Sequence, residues 1–129
     1  MMKFYSTNNR LKLTDFKNAL LRGLADDGGL YMPQKFPSIK TKSFYNLSID
    51  KLAGEILSIF IDIPKKELDK ITKDSFNFKA PLIRLDDDLY ILELFHGPTL
   101  SFKDFGARFM ARAMDYFLKK SGENLNIIV

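Results

Sequence analysis

Apolar residues along this chain switch between a helical and a strand-like period, and the switches divide it into elements. Phe4-Tyr5-Ser6-Thr7 reads as a short strand. Phe16, Ala19 and Leu20 share one face of a helix that Thr14 can cap, that runs to Arg22 and that Gly23 ends. Ala25-Asp26-Asp27-Gly28-Gly29 is turn-forming. Leu30 to Ile39 contains Pro33 and Pro37, which predicts an extended connector.

Ser48 is a good cap for a second helix, in which Ile49, Leu52, Ala53, Ile56 and Phe60 recur at helical spacing. Pro64 suits the first turn of a third helix carrying Leu68 and Ile71. The chain up to about Asn77 therefore reads as a small, mainly helical unit.

The texture then changes. Leu82-Ile83-Arg84-Leu85 and the run from Leu89 to Phe95 are strand-like, and Asp86-Asp87-Asp88 between them predicts a hairpin. Those three aspartates read as a solvated turn, because no other ligand-like cluster accompanies them and a hard cation needs about six oxygens or more. After His96-Gly97-Pro98 a long helical pattern runs to about Lys120, and Gly122 ends it. Leu125-Asn126-Ile127-Ile128-Val129 reads as a buried strand. Helix followed by apolar strand is the rhythm of an α/β domain, so the expected class is α/β, with these residues alone forming an α+β arrangement. An apolar strand at the end of a chain exposes an unpaired edge, which leads to the expectation that the sequence is a piece of a longer protein. The expected division is a unit over 1–80 and the start of a larger α/β domain over 81–129.

Composition narrows the function classes. With 129 residues, 46% hydrophobic and 28% charged, the chain has the profile of an ordinary globular domain. Its 12 Phe residues can supply much of a core. The absence of Cys excludes a disulfide scaffold, a Cys-ligated zinc site and thiol catalysis. The 20 basic residues are interleaved with 16 acidic ones rather than gathered in a stripe, which speaks against a nucleic-acid partner. No run approaches the roughly 20 apolar residues of a membrane helix. Met1 to Leu13 lacks the form of a secretory signal. The expectation is a cytoplasmic protein without a membrane partner.

Candidate chemistry concentrates near Lys103. Ser101 and Asp104 have the spacing of a capping box, which puts Lys103 in the first turn of a helix. The partial positive charge of a helix N-terminus, with Phe95, Phe102 and Phe105 excluding water, favours a neutral amine there. A neutral amine is what attacks an aldehyde and then moves protons. An exposed lysine snorkelling past those rings fits the same residues. His96, the one histidine, could contact a phosphate or carboxylate, or hydrogen-bond the backbone before Gly97-Pro98. Arg84 and Arg108 could bind anions, although Arg108 lies four residues beyond Asp104 and suits a surface ion pair. No metal site is expected from one histidine and no cysteine. Gly28-Gly29 lacks the spacing of a phosphate loop, and neither a dinucleotide fingerprint nor a nucleophile elbow is present.

Leu94-Phe95-His96-Gly97-Pro98-Thr99-Leu100-Ser101-Phe102-Lys103-Asp104-Phe105-Gly106 closely resembles the cofactor-lysine segment of the threonine synthase family. Gly23-Leu24-Ala25-Asp26-Asp27-Gly28-Gly29-Leu30-Tyr31-Met32-Pro33 resembles that family's N-terminal segment, and Phe4-Tyr5-Ser6-Thr7 is similar to its opening residues. The matches occur in the family's order and roughly at its spacing. Ser101 and Ala107 are small where relatives also tend to have small residues.

The resemblance implies a pyridoxal-phosphate enzyme of the tryptophan-synthase-β fold type that converts O-phospho-L-homoserine and water into L-threonine and phosphate. It implies that Lys103 holds the cofactor as a Schiff base and then serves as acid and base, while the cofactor is the electron sink. Phe102 and Asp104 match as flanking residues at the cofactor, and His96 matches a position near the site. Family members are several hundred residues long. Their cofactor-phosphate loop follows the position of Val129, so the remainder of the chain is the implied partner. These residues alone are expected to bind the cofactor weakly and not to turn over substrate. A related phospho-lyase releasing a different product, and a non-catalytic interaction domain that keeps the motif for packing, are the competing possibilities.

Overall fold

The computed structural model describes residues 2–122 together with Asn124 and Leu125. Among them are four α-helices and two small antiparallel sheets, an α+β arrangement. Of the strand predicted over Leu125 to Val129, all but Leu125 lies outside the described residues.

The first sheet has the order β2-β1-β3, with β1 at Phe4–Ser6, β2 at Asn9–Thr14 and β3 at Tyr31–Pro33. Phe4 and Ser6 are buried while Tyr5 between them is only half-buried, as alternation on a strand requires. The extended connector expected over Leu30 to Ile39 is in part a paired strand: Tyr31, Met32 and Pro33 pair with Ser6, Tyr5 and Phe4. Pro33 fits there because β3 is an edge strand, where a missing N–H costs no ladder bond.

Helix α1 covers Phe16–Arg22, and its cap is Asp15 rather than Thr14. Thr14 is held in β2 opposite Phe4, so its backbone is already committed. The Asp15 carboxylate instead accepts the Asn18 N–H at 2.8 Å. Gly23 ends the helix at φ 73°, a backbone region that glycine enters without strain. In the turn that follows, Asp27 accepts the Gly29 N–H at 3.0 Å and the Ser6 hydroxyl at 2.6 Å. A Cβ on Gly29 would overlap the Ser6 hydroxyl, so the turn closes on the sheet only with glycine there.

Helices α2 (Ile49–Phe60) and α3 (Lys65–Ser75) follow the predicted apolar faces. Ser48 stands at the cap position of α2, but its hydroxyl makes no capping bond. Pro64 stands at the cap of α3, one residue earlier than expected. Its ψ of 135° is extended, and its carbonyl accepts the Leu68 N–H. The two helices approach closely at Gly54, where a Cβ would sit 2.9 Å from Asp69 Oδ1 and 3.4 Å from Thr72 Oγ1.

Strands β4 (Leu82–Asp86) and β5 (Leu89–Leu92) form the predicted hairpin, with β5 ending before Phe95. Helix α4 spans Lys103–Ser121 and ends at Gly122, which is left-handed at φ 70°. The core gathers Ile61, Ile63, Leu68, Ile71 and Phe117, with Phe16 and Leu20 packed against it. Each such side chain contributes on the order of 2 kcal/mol by leaving water. A ladder of rings from Phe4 to Phe16 (5.9 Å) and from Phe16 to Phe117 (6.2 Å) ties β1 to α1 and α4. This core fixes α4, and so the position of its first residue, Lys103.

Candidate functional site

The residues between the hairpin and α4 form a compact turn built around Asp104. Glu93 continues the hairpin, donating its N–H to the Pro81 carbonyl at 2.9 Å. His96 then engages the Glu93 carboxylate, Nε2 to Oε2 at 2.6 Å, and its ring lies 4.8 Å from that of Phe95. Of the two partners considered for His96, a ligand anion or the backbone, the described residues show neither, and the ring meets the protein's own Glu93 carboxylate three residues earlier. Gly97 is buried, and Leu100 donates its N–H to the Gly97 carbonyl at 3.0 Å, which closes a turn around Pro98 and Thr99. Leu100 is left-handed at φ 55°, an uncommon state for a branched side chain, and is 77% exposed.

Lys103 is the first residue of α4 and is exposed. Its backbone N–H donates to the Ser101 hydroxyl at 3.3 Å, while among the described residues its Nζ has no hydrogen bond or ion pair. The expected capping box is corrected in one half. Ser101 does face the helix start, but the Asp104 carboxylate turns to the Thr99 N–H at 2.9 Å rather than back to Ser101. Asp104 is buried, and it lies against Gly97 so closely that a Cβ there would overlap its carboxylate.

The aromatic screen expected around Lys103 is not assembled by the described residues. Phe95 and Phe102 are themselves 49% and 65% exposed. Phe105 packs instead on Phe78 at 4.9 Å and on Phe76 at 6.0 Å.

Neither arginine joins the site. Arg84 is held in the hairpin turn by the Asp87 carboxylate at 2.6 Å and the Asp86 carbonyl at 3.0 Å. Arg108 does not pair with Asp104, as its spacing had suggested. Its guanidinium donates to the carbonyls of Asp74 and Ser75 and to the Asn77 side chain, all at 2.9 Å. Those acceptors sit at the C-terminal end of α3, where the helix carbonyls lack internal donors and favour a cation. Sequence reasoning also missed Gly97, Thr99 and Glu93 as parts of the site. The one signal available was the spacing of Glu93 three residues before His96.

A separate cavity of about 430 Å³ opens between β2 and α1, lined in part by Lys12, Arg22, Asp26 and Tyr31. Its charges are internally matched: Lys12 and Arg22 both reach Asp26, at 2.7 and 3.2 Å. These contacts hold the Asp26 carboxyl below its usual range, the Lys12 hydrogen bond first. Among the described residues no group of three or more His, Cys, Asp or Glu is placed to hold a metal ion.

A family model described as "Threonine synthase N terminus" matches residues 3–76. A threonine synthase of Buchnera aphidicola subsp. Acyrthosiphon pisum is 41% identical over 98% of this chain, which spans 31% of that relative. The structure of PLP-bound threonine synthase from Brucella melitensis superposes with a TM-score of 0.90 at 36% identity. It covers 96% of this chain, which in turn accounts for 29% of that one. The crystal structure of Escherichia coli threonine synthase gives a TM-score of 0.85 at 36% identity, over 89% of this chain and 28% of its own length. The chain thus spans less than a third of the relatives it matches.

Proposed function

This chain belongs to the threonine synthase family, and on that premise we propose that Lys103 is the lysine that carries pyridoxal phosphate in an enzyme that converts O-phospho-L-homoserine and water into L-threonine and phosphate. The observation that carries this reading is the state of Lys103. It is an exposed primary amine at the head of a long helix, with its Nζ uncommitted among the described residues and the preceding turn tightly held. An uncommitted amine is the group an aldehyde cofactor requires, so the donor set fits. When bound, pyridoxal phosphate supplies an electron sink for carbanions on the substrate.

The protein's part is positioning and proton movement. Lys103 Nζ holds the cofactor and moves protons on substrate carbons. Phe102, exposed, and Asp104, buried, flank the lysine and would lie beside the cofactor it carries. His96, oriented by Glu93, presents its imidazole at the mouth of the same turn. We assign residues 1–80 to an N-terminal unit and 81–129 to the start of the cofactor-binding domain, with the remainder of the enzyme as their partner. Among the described residues no helix is long and apolar enough to cross a membrane, and we place the enzyme in the cytoplasm.

The test joins residues 1–129 to the remaining residues of the Escherichia coli relative and adds pyridoxal phosphate. The expected result is the visible band of lysine-bound cofactor, and release of phosphate from O-phospho-L-homoserine. Lys103→Ala should abolish the band while circular dichroism stays unchanged. A band that survives Lys103→Ala, or no band in a folded chimaera, overturns the assignment. A band without phosphate release replaces the substrate with that of a related phospho-lyase.

A further inference from the structure

We propose that Asp104 is a positioning residue: its buried carboxylate locks the turn from Gly97 to Leu100 and thereby sets the direction in which Lys103 leaves the helix. This deepens the reading of Lys103 as the cofactor lysine and rests on it. Three observations converge on the carboxylate. Asp104 is 4% exposed although it sits in the first turn of a helix that begins at an exposed lysine. Its Oδ2 accepts the Thr99 N–H at 2.9 Å, and Gly97 leaves it the space that any side chain would fill. The turn it holds contains Leu100 at φ 55°, a strained conformation that persists only where surrounding contacts over-determine it.

The physics is that of an oriented support. A carboxylate accepting a backbone N–H at a helix N-terminus is favoured twice, by the charge-assisted bond and by the helix dipole. The carboxylate is committed to Thr99, while among the described residues the amine of the preceding, exposed residue has no hydrogen bond or ion pair. Releasing the bond frees the turn to relax Leu100, and the first turn of α4 frays with it. Lys103 then loses its fixed approach to an incoming aldehyde, although its own chemistry is intact. Affinity for the cofactor falls because the ordering must be repeated at each binding event.

The experiment measures hydrogen exchange over residues 97–102 and the apparent Kd for pyridoxal phosphate. It uses wild type, Asp104→Ala, Asp104→Asn and Gly97→Ala, in the chimaera described above and, for exchange, in the 129-residue chain. In Asp104→Ala, exchange at 97–102 and in the first turn of α4 should rise and the cofactor Kd should increase roughly tenfold or more, with α4 peptides beyond that turn unchanged. Asp104→Asn keeps an acceptor of the same size and should stay within about threefold of wild type. Gly97→Ala displaces the carboxylate and should reproduce Asp104→Ala, which decides the matter if that variant does not fold. Unchanged exchange in Asp104→Ala and Gly97→Ala overturns the proposal. So does an Asp104→Asn variant with wild-type exchange but cofactor binding as weak as that of Asp104→Ala, since the charge would then act on the cofactor. If wild type shows no cofactor band, the reading of Lys103 falls, while the exchange data still decide whether Asp104 holds the turn.

Discussion

Arg108 and Ser75, 33 residues apart in sequence, are joined by a 2.9 Å hydrogen bond from the guanidinium Nε to the Ser75 carbonyl. The same fork reaches Asp74 and Asn77, and it lies over the ring of Phe78 at 5.6 Å. Arg108 thus caps α3 from α4. Arg108→Ala should lower unfolding stability by roughly 1–3 kcal/mol, read by urea titration. Arg108→Lys should recover only part of this, because an ammonium lacks the rigid fork that spans several acceptors. Ser75→Ala should leave stability unchanged or raised, because it keeps the carbonyl and removes a buried hydroxyl that has no partner among the described residues. A destabilised Ser75→Ala would show that the hydroxyl itself takes part.

Leu68 is fully buried at the centre of the core between α3 and α4. Leu68→Ala should cost about 2–5 kcal/mol through lost burial and the cavity left behind. Leu24, 57% exposed, gives the contrast: Leu24→Ala should change stability by no more than about 0.5 kcal/mol. Thermal unfolding of the two variants side by side checks the assignment of the core.

Asp27 ties the turn after α1 to β1. The Ser6 hydroxyl first, and the Gly29 N–H second, hold its carboxyl below the usual carboxylate range. Its contribution is therefore present above the unfolded value of about 3.9 and is lost as pH falls through the lower folded value. Asp26 behaves in the same direction through Lys12 and Arg22. Melting temperature followed from neutral pH downward should fall steeply below about pH 4, and less steeply in Asp27→Asn. Added salt should weaken the exposed Asp26 pairs and leave the Asp27 hydrogen bonds largely intact. An acid limb identical in wild type and Asp27→Asn would remove Asp27 from the account.

The hairpin of β4 and β5 exposes apolar side chains on both faces, among them Leu85 at 57% and Leu89 at 55%. A surface of that kind binds apolar dyes and promotes association. Leu85→Lys with Leu89→Lys should reduce dye fluorescence and light scattering of the 129-residue chain, with a stability change within about 0.5 kcal/mol. Equal dye binding in wild type and the double variant would place the sticky surface elsewhere.

Local pattern by itself determined a large part of this protein. The apolar faces of α2 and α3, the hairpin around Asp86-Asp87-Asp88, the stop of α4 at Gly122 and the place of Lys103 in its first turn all follow from short-range spacing. Such features depend on neighbours within a few residues, which is the range over which sequence is explicit. What only the tertiary structure decided involves partners far along the chain. Tyr31–Pro33 becomes a strand because β1 stands ready to pair with it. Arg108 leaves its local acid for the end of α3, because helix carbonyls without donors attract a cation, while the Asp104 carboxylate is buried and already accepts the Thr99 N–H. The Asp104 carboxylate turns to Thr99 because Gly97 leaves room for it there, a choice that packing makes and spacing alone does not encode.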